Sequence, residues 1–173
     1  FNYHAACHLT HSAIESVLAL RTDLEVDRLS ALTITVNPAL LDVCGIPDPK
    51  TGLEGKFSLR GTASLALNGI DTANPETFVD KVIGSLEAQK LIEKINVETD
   101  TKHSNIQSNI VWNDDQQRAQ EASKDLSEPV SDYDEQGKKL EQKFSSLCAY
   151  SGHDGQNLLA KIQELAEAET VSF

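Results

Sequence analysis

Residues 53–69, LEGKFSLRGTASLALNG, constrain the fold more than any other stretch of the chain. Phe57, Leu59, Ala63, Leu65, Ala66 and Leu67 fall so densely that much of a helix built from them is apolar. A helix that is apolar over most of its surface has to be buried. Gly55 and Gly61 lower its helix propensity but let a neighbouring backbone come close, and Gly69 is a natural C-terminal cap. The segment therefore reads as one long, well-buried helix. With apolar residues at 39% of 173 positions, the chain has material for one core, as one domain or one modest domain plus an appendage.

The flanking segments say what that helix packs against. Residues 10–22 read as an amphipathic helix through Ile14, Val17 and Leu18, with Ser12 and Glu15 as a capping box and Thr10 as a rival cap. In ALTITV, residues 31–36, Leu32, Ile34 and Val36 point one way and Thr33 and Thr35 the other, the alternation of a strand. Asn37-Pro38 ends that strand, and Pro38 opens a short helix through Leu40, Leu41 and Val43. Two prolines and two glycines make 45–52 a loop. A helical turn at 75–80, a helix at 85–95 bearing Ala88, Leu91, Ile92 and Ile95, and a strand at 95–99 follow. Ile106, Ile110, Val111 and Trp112 mark one more strand.

Residues 114–131 are polar and acidic and read as an exposed linker. Two helices come after it. Leu140, Phe144, Leu147 and Cys148 share a face of the first, and Leu158, Leu159, Ile162 and Leu165 a face of the second. Ser151-Gly152 separates them, and Asp154 is placed to cap the second. The expected class is α+β: a small sheet with helices on one face, plus a C-terminal helical pair.

Charge and composition narrow the function. The net charge is −12, and residues 114–173 hold 13 acidic against 6 basic side chains. An acidic chain without a Lys/Arg cluster repels nucleic-acid phosphates and anionic lipid surfaces. No apolar run nears the roughly 18–20 residues of a membrane-spanning helix. The N-terminal FNYHAACHLTH lacks the basic and apolar regions of a signal peptide. Cys7, Cys44 and Cys148 are odd in number, widely spaced and without a CxxC pair, which fits a reducing compartment rather than a disulfide framework. A soluble protein of the cytoplasm, or of mitochondria for a eukaryotic source, is expected. Phe1 is no natural translation start and the chain has no methionine, which points to a missing N-terminal portion.

Two segments hold reactive side chains. HAACHLTH contains His4, Cys7, His8 and His11. If helical, His4/His8 and Cys7/His11 become i,i+4 pairs that could hold a zinc ion or orient a Cys–His pair. A structural zinc site needs four ligands, and Cys44, Cys148, His103 and His153 are isolated, so no metal is expected. On residue types alone, a helix start made of polar and small residues is the simplest reading. In GKFSLRG, Lys56 and Arg60 are i,i+4 cations able to bind a carboxylate, Arg60 bidentately and Lys56 as a point charge. Their alternative is a buried helix whose basic ends reach solvent. GTASLALNG has no phosphate-loop spacing.

Taken together, HAACHLTHSAIESVLALR and, some forty residues on, Lys56-Phe57-Ser58-Leu59 before an Ala/Leu-rich helix resemble the MmgE/PrpD family. In that family a Tyr-Pro-Cys-Cys-x-x-Thr-His type turn leads into an apolar helix, and a Lys-Phe-Ser-Leu helix follows. KINVETD and EQKFSSL match in order as well. The resemblance implies a dehydratase, decarboxylase or epimerase of small di- or tricarboxylates, working without a metal or other cofactor. It also implies a large helical domain and a smaller α+β lid with the active site between them, in a homodimer when full length.

On that template 1–113 are the lid, 114–131 the linker, and 132–173 helices that pack on an absent N-terminal helical domain. The piece alone is expected to be inactive. The turn before the first helix faces the cleft, which makes His8 and His11 candidate proton-transfer groups and Cys7, Lys56 and Arg60 candidate substrate-binding groups. Cys7 stands where the animal cis-aconitate decarboxylase has an active-site histidine, and Gly61 where a tyrosine is frequent. These departures leave the reaction open. Two other classes remain: an interaction module using the acidic helical tail, and a small metal-binding domain around residues 4–11.

Overall fold

Helix α1 (His11–Arg21) leads through a short turn into β1 (Leu29–Val36). The alternation read from the sequence holds there: Leu32, Ile34 and Val36 are fully buried, whereas Thr33 and Thr35 are half-exposed. After β1 come α2 (Leu41–Cys44), α3 (Gly52–Lys56), α4 (Leu59–Leu67), α5 (Asp80–Ile83) and α6 (Leu86–Ile92). Strands β2 (Ile95–Thr99), β3 (Gln107–Asp114) and β4 (Ala119–Asp125) complete the sheet, and α7 (Tyr133–Tyr150) and α8 (Gly155–Glu167) close the chain. The computed structural model describes residues 2–22 and 24–167; positions 168–173 of the expected C-terminal helices lie outside the described residues. The fold is mixed α+β: a four-stranded sheet with helices packed on it and a C-terminal helix pair.

The strand order is β2-β1-β3-β4, with β1 parallel to β2 and antiparallel to β3, and β3 antiparallel to β4. Register puts Leu32 opposite Trp112, Ile34 opposite Ile110 and Val36 opposite Ser108, so one face of the central pair is buried. Helix α1 lies across that face and packs on α4 and on β3 and β4; α4 in turn packs on β2 and α6. Ile14, Val17, Leu59, Ala63 and Trp112 belong to one core cluster. At roughly 25 cal/mol per Å² of apolar surface removed from water, this face is the main source of stability.

The segment 53–69 is two helices rather than one. The break falls at Phe57-Ser58, where Ser58 is extended (φ −123, ψ 117). Ser58 Oγ accepts from Gly61 N at 3.0 Å, capping α4, and donates to the Ile46 carbonyl at 2.7 Å. The hydroxyl thus satisfies one donor and one acceptor only if the helix is interrupted there. Helix α3 starts within the expected loop, on a capping box in which Thr51 Oγ1 accepts from Glu54 N and Glu54 accepts from Thr51 N.

The capping box expected at Ser12 and Glu15 is not formed. Helix α1 begins at His11 after a 3-10 turn over His8–Thr10, and Thr10 Oγ1 donates to the Cys7 carbonyl instead of capping. Ser12 is buried inside the helix, and Glu15 has other partners.

The stretch read as a linker contains β4. No apolar alternation announces this strand, because only Ala122 among its residues packs against the core. It is specified by the hairpin before it. The Asp114 carboxylate accepts from Gln116 N and Arg118 N, each at 2.9 Å, while Gln117 takes a left-handed φ of 62°. That turn delivers a polar edge strand bearing Glu121 and Lys124, a composition that discourages pairing with a further chain.

Helix α7 is joined to the rest of the fold largely by polar contacts. Gln136 donates to Tyr3 Oη, Lys139 to Glu15 and Lys143 to the Ala73 carbonyl. Asp154 caps α8, accepting from Gln156 N and Asn157 N. Leu147, Leu158, Ile162 and Leu165 remain exposed, the last at 56%. Among the described residues no helix is long and apolar enough to cross a membrane.

Candidate functional site

The turn carrying the histidines is pinned from three sides. Ala5 N donates to the Thr72 carbonyl at 2.7 Å and Cys7 N to the Lys56 carbonyl at 3.0 Å, while the Cys7 carbonyl accepts from Thr10 N. Residues 4–7 are therefore not helical, and the i,i+4 pairs that a helix would make of His4/His8 and Cys7/His11 do not form. The three imidazoles meet by a different route. His11, first residue of α1, has the His4 ring edge-on at 4.8 Å and the His8 ring tilted at 5.0 Å.

The three rings have unlike surroundings. His8 is exposed. His11 is 1% exposed, its Nε2 lies 3.4 Å from the Ala6 carbonyl and its Nδ1 has no partner. Burial, with His4 and His8 as like-charged neighbours, lowers the His11 pKa from 6.5 to about 3, so the ring stays neutral. His4 is buried between Thr72 Oγ1, 2.7 Å from Nδ1, and Glu15 Oε1, 3.0 Å from Nε2.

Glu15 organises this end of the turn. Burial disfavours its charge, but hydrogen bonds from His4 and Lys139 outweigh that and hold its pKa at about 2. An ionised Glu15 can only accept, so His4 Nε2 carries a proton toward it, and the Thr72 hydroxyl holds the other ring nitrogen. Lys139 is raised in turn: burial works against its charge and Glu15 more than restores it.

Two cavities share Tyr3, Glu15 and Lys139 as a common wall. One, of about 260 Å³, is also lined by His4, Arg21 and Thr72. The other, of about 280 Å³, is lined by His8, Lys124 and Asp132 among others.

The basic candidates Lys56 and Arg60 do not act as one pair. Lys56 is the last residue of α3 and Arg60 the second of α4, so the break at Ser58 takes them off a shared helical face. Lys56 Nζ sits 5.8 Å over the Phe78 ring, and its carbonyl holds Cys7. Lys143 reaches the same loop from α7. Burial, opposed by Asp71 and reinforced by Lys56, lowers its pKa. The Arg60 side chain is half-buried and makes no hydrogen bond or ion pair among the described residues. Gly61 faces Pro49 Cγ and Ser58 Cβ, which a Cβ would meet at 3.0 and 3.2 Å; no open cleft lies in that direction. Among the described residues no group of three or more His, Cys, Asp or Glu side chains is arranged as a metal site.

This turn, the Lys56 junction and α7–α8 all fall inside one sequence profile: the MmgE/PrpD C-terminal domain matches residues 4–167. The chain belongs to the MmgE/PrpD family. MmgE/PrpD proteins are carboxylate lyases, dehydratases and decarboxylases among them, and the domain matched is the C-terminal one. No curated protein is matched by the chain. Within this MmgE/PrpD domain, His8, His11, Cys7 and Lys56 are the candidates drawn from the sequence, whereas Glu15, Thr72 and Lys139, which the structure brings to the histidine turn, were not among them. Glu15 carried a signal, an acid one turn into the helix, that pointed to a cap. Lys139 lies 124 positions away from it and carried none.

Proposed function

We propose that this chain is the lid region and returning helices of a lyase or isomerase that acts on a small di- or tricarboxylate by general acid/base chemistry. Membership of the MmgE/PrpD family over residues 4–167 is the observation that carries this reading. His8, exposed at the turn, transfers a proton; His11 backs it as a neutral ring; Cys7, Lys56 and Arg60 contact the substrate. Proton transfer next to a carboxylate needs a base, an acid and a cation for the charge that develops. Lys56 supplies the cation, a role that its half-buried position next to the turn supports. The principal base comes from a helical domain outside this chain.

In this reading the sheet with its helices, through β4, forms the lid, and α7 and α8 return to that helical domain. The exposed apolar residues Leu147, Leu158, Ile162 and Leu165 on α7–α8 support it, since a finished interaction module would cover such a stripe. The assembled enzyme is a homodimer.

The test uses the isolated chain with citrate as the probe. Weak binding that Lys56→Ala abolishes, without turnover of any polycarboxylate, is the expected result. Turnover by the chain alone would overturn the two-domain reading, and absence of Lys56-dependent binding would overturn the site.

A further inference from the structure

Cys7 and Cys44 are distant in sequence, yet the same short segment holds both. Cys7 N donates to the Lys56 carbonyl at 3.0 Å. Cys44 ends α2, and Gly45 immediately after it forms an antiparallel bridge with Ser58. The two cysteines therefore flank the α3–α4 junction, and Cys7 packs against the core cluster that holds Cys44. Neither backbone is free to drift away. The Cys7 carbonyl is tied to Thr10 N and Oγ1 at 2.9 and 2.8 Å. A Cβ on Gly45 would lie 2.3 Å from the Leu41 carbonyl oxygen, so the chain there is closely fitted.

The two thiols differ in access. Cys7 is half-buried at the histidine turn, and Cys44 is 0% exposed in the core. Burial, with Cys7 as neighbour, pushes the Cys44 thiol up to about 12, so it stays protonated while Cys7 is the sulfur an outside reagent meets first. Cys148 is elsewhere, on α7 beside Gly155.

We propose that Cys7 and Cys44 are an oxidant-sensitive pair that closes to a reversible disulfide across the α3–α4 junction. With a hydroperoxide as oxidant, the Cys7 thiolate attacks one peroxide oxygen. An S–O bond forms, the O–O bond breaks, and the other oxygen leaves as water or alcohol. The Cys44 sulfur then attacks Cys7. The S–S bond forms, the S–O bond breaks, and the departing hydroxide takes the Cys44 proton as water. Two thiols are oxidised and one peroxide is reduced. A dithiol reverses the step by exchange. Closure ties the histidine turn to α2 and removes the Cys7 thiol from the face beside Lys56. The pair stands on its own geometry and does not depend on the carboxylate reading.

The experiment is hydrogen peroxide treatment of the whole chain, read by peptide mapping without reduction. The expected product is a Cys7–Cys44 linked peptide pair that forms at a rate independent of protein concentration, disappears with dithiothreitol and persists in Cys148→Ser. In Cys44→Ser, dimedone should capture a sulfenic acid at Cys7; in Cys7→Ser, neither adduct nor link should form. The wild-type map needs no variant to fold. Both residues remaining as free thiols after peroxide, or either one linked to Cys148 or to a second chain, overturns the proposal.

Discussion

Glu15 on α1 and Lys139 on α7 form an ion pair in which the second carboxylate oxygen is taken by His4. The Glu15 side chain is 11% exposed and Lys139 34%. One carboxylate thus fastens the C-terminal helix to the histidine turn and stands in the wall between two cavities. A charge this buried is tolerable only while its partners are present. Lys139→Met should therefore destabilise the chain by about 2 kcal/mol, less than the value for fully buried pairs because Lys139 is a third exposed. Adding Glu15→Gln should return part of that loss. Urea unfolding of the two single variants and the double variant measures the coupling, and strictly additive effects would show that the pair contributes nothing.

Acid should loosen the fold in two stages with the same sign. His11 has a folded pKa of about 3 against 6.5 when unfolded. A depressed pKa means stability is fully present above 6.5 and is lost as pH falls toward 3, by up to about 1.4 kcal/mol per pH unit. Glu15, at about 2 against 4.5, adds a second loss below pH 4.5. The melting temperature should drop between pH 6.5 and 5 in the wild type and stay flatter in His11→Asn. Equal slopes in the two proteins would refute the assignment to His11.

The hydroxyl of Ser58 separates α3 from α4 and joins both to the loop before them. Ser58 is 0% exposed, so Ser58→Ala strips the cap from Gly61 N and leaves the Ile46 carbonyl without its donor. A lost cap and a buried unsatisfied carbonyl together should cost about 2 kcal/mol. Hydrogen exchange at the Gly61 amide should quicken more than at Ala66, deep in α4. Unchanged protection at Gly61 would mean the cap is dispensable.

How much of this was legible in the sequence depended on the range of the interactions involved. Leu32, Ile34 and Val36 gave β1 away because alternation is local, and Asp154 gave away the start of α8 for the same reason. The Thr51–Glu54 capping box was equally local, but the prolines and glycines of 45–52 hid it. Strand β4 was not visible, since AQEASKD has no buried face of its own and takes its conformation from pairing with β3. At the site, His8, His11 and Cys7 were found by clustering. Their arrangement was not: the i,i+4 pairing considered for them needs a helix, whereas the Thr72 and Lys56 carbonyls hold residues 4–7 out of one. Nothing in either segment announces such long-range backbone bonds.

Two glycine-to-alanine substitutions should move stability in opposite directions. At Gly52, the first residue of α3, a Cβ would lie 2.1 Å from the Phe78 carbonyl oxygen and 2.7 Å from Val79 Cα. Those are backbone atoms that cannot swing aside, so α3 and the 78–79 segment must separate. Overpacking of this kind costs about 1–3 kcal/mol. It should also shift the Phe78 ring from under Lys56, so that citrate binding falls together with stability. At Gly137, inside α7, nothing lies within 4 Å of the added Cβ. There alanine only gains helix propensity and should stabilise by about 0.5–1 kcal/mol. Urea unfolding distinguishes the two. A Gly52→Ala midpoint equal to that of the wild type would show that the close approach of α3 to Phe78 is not a constraint on the fold.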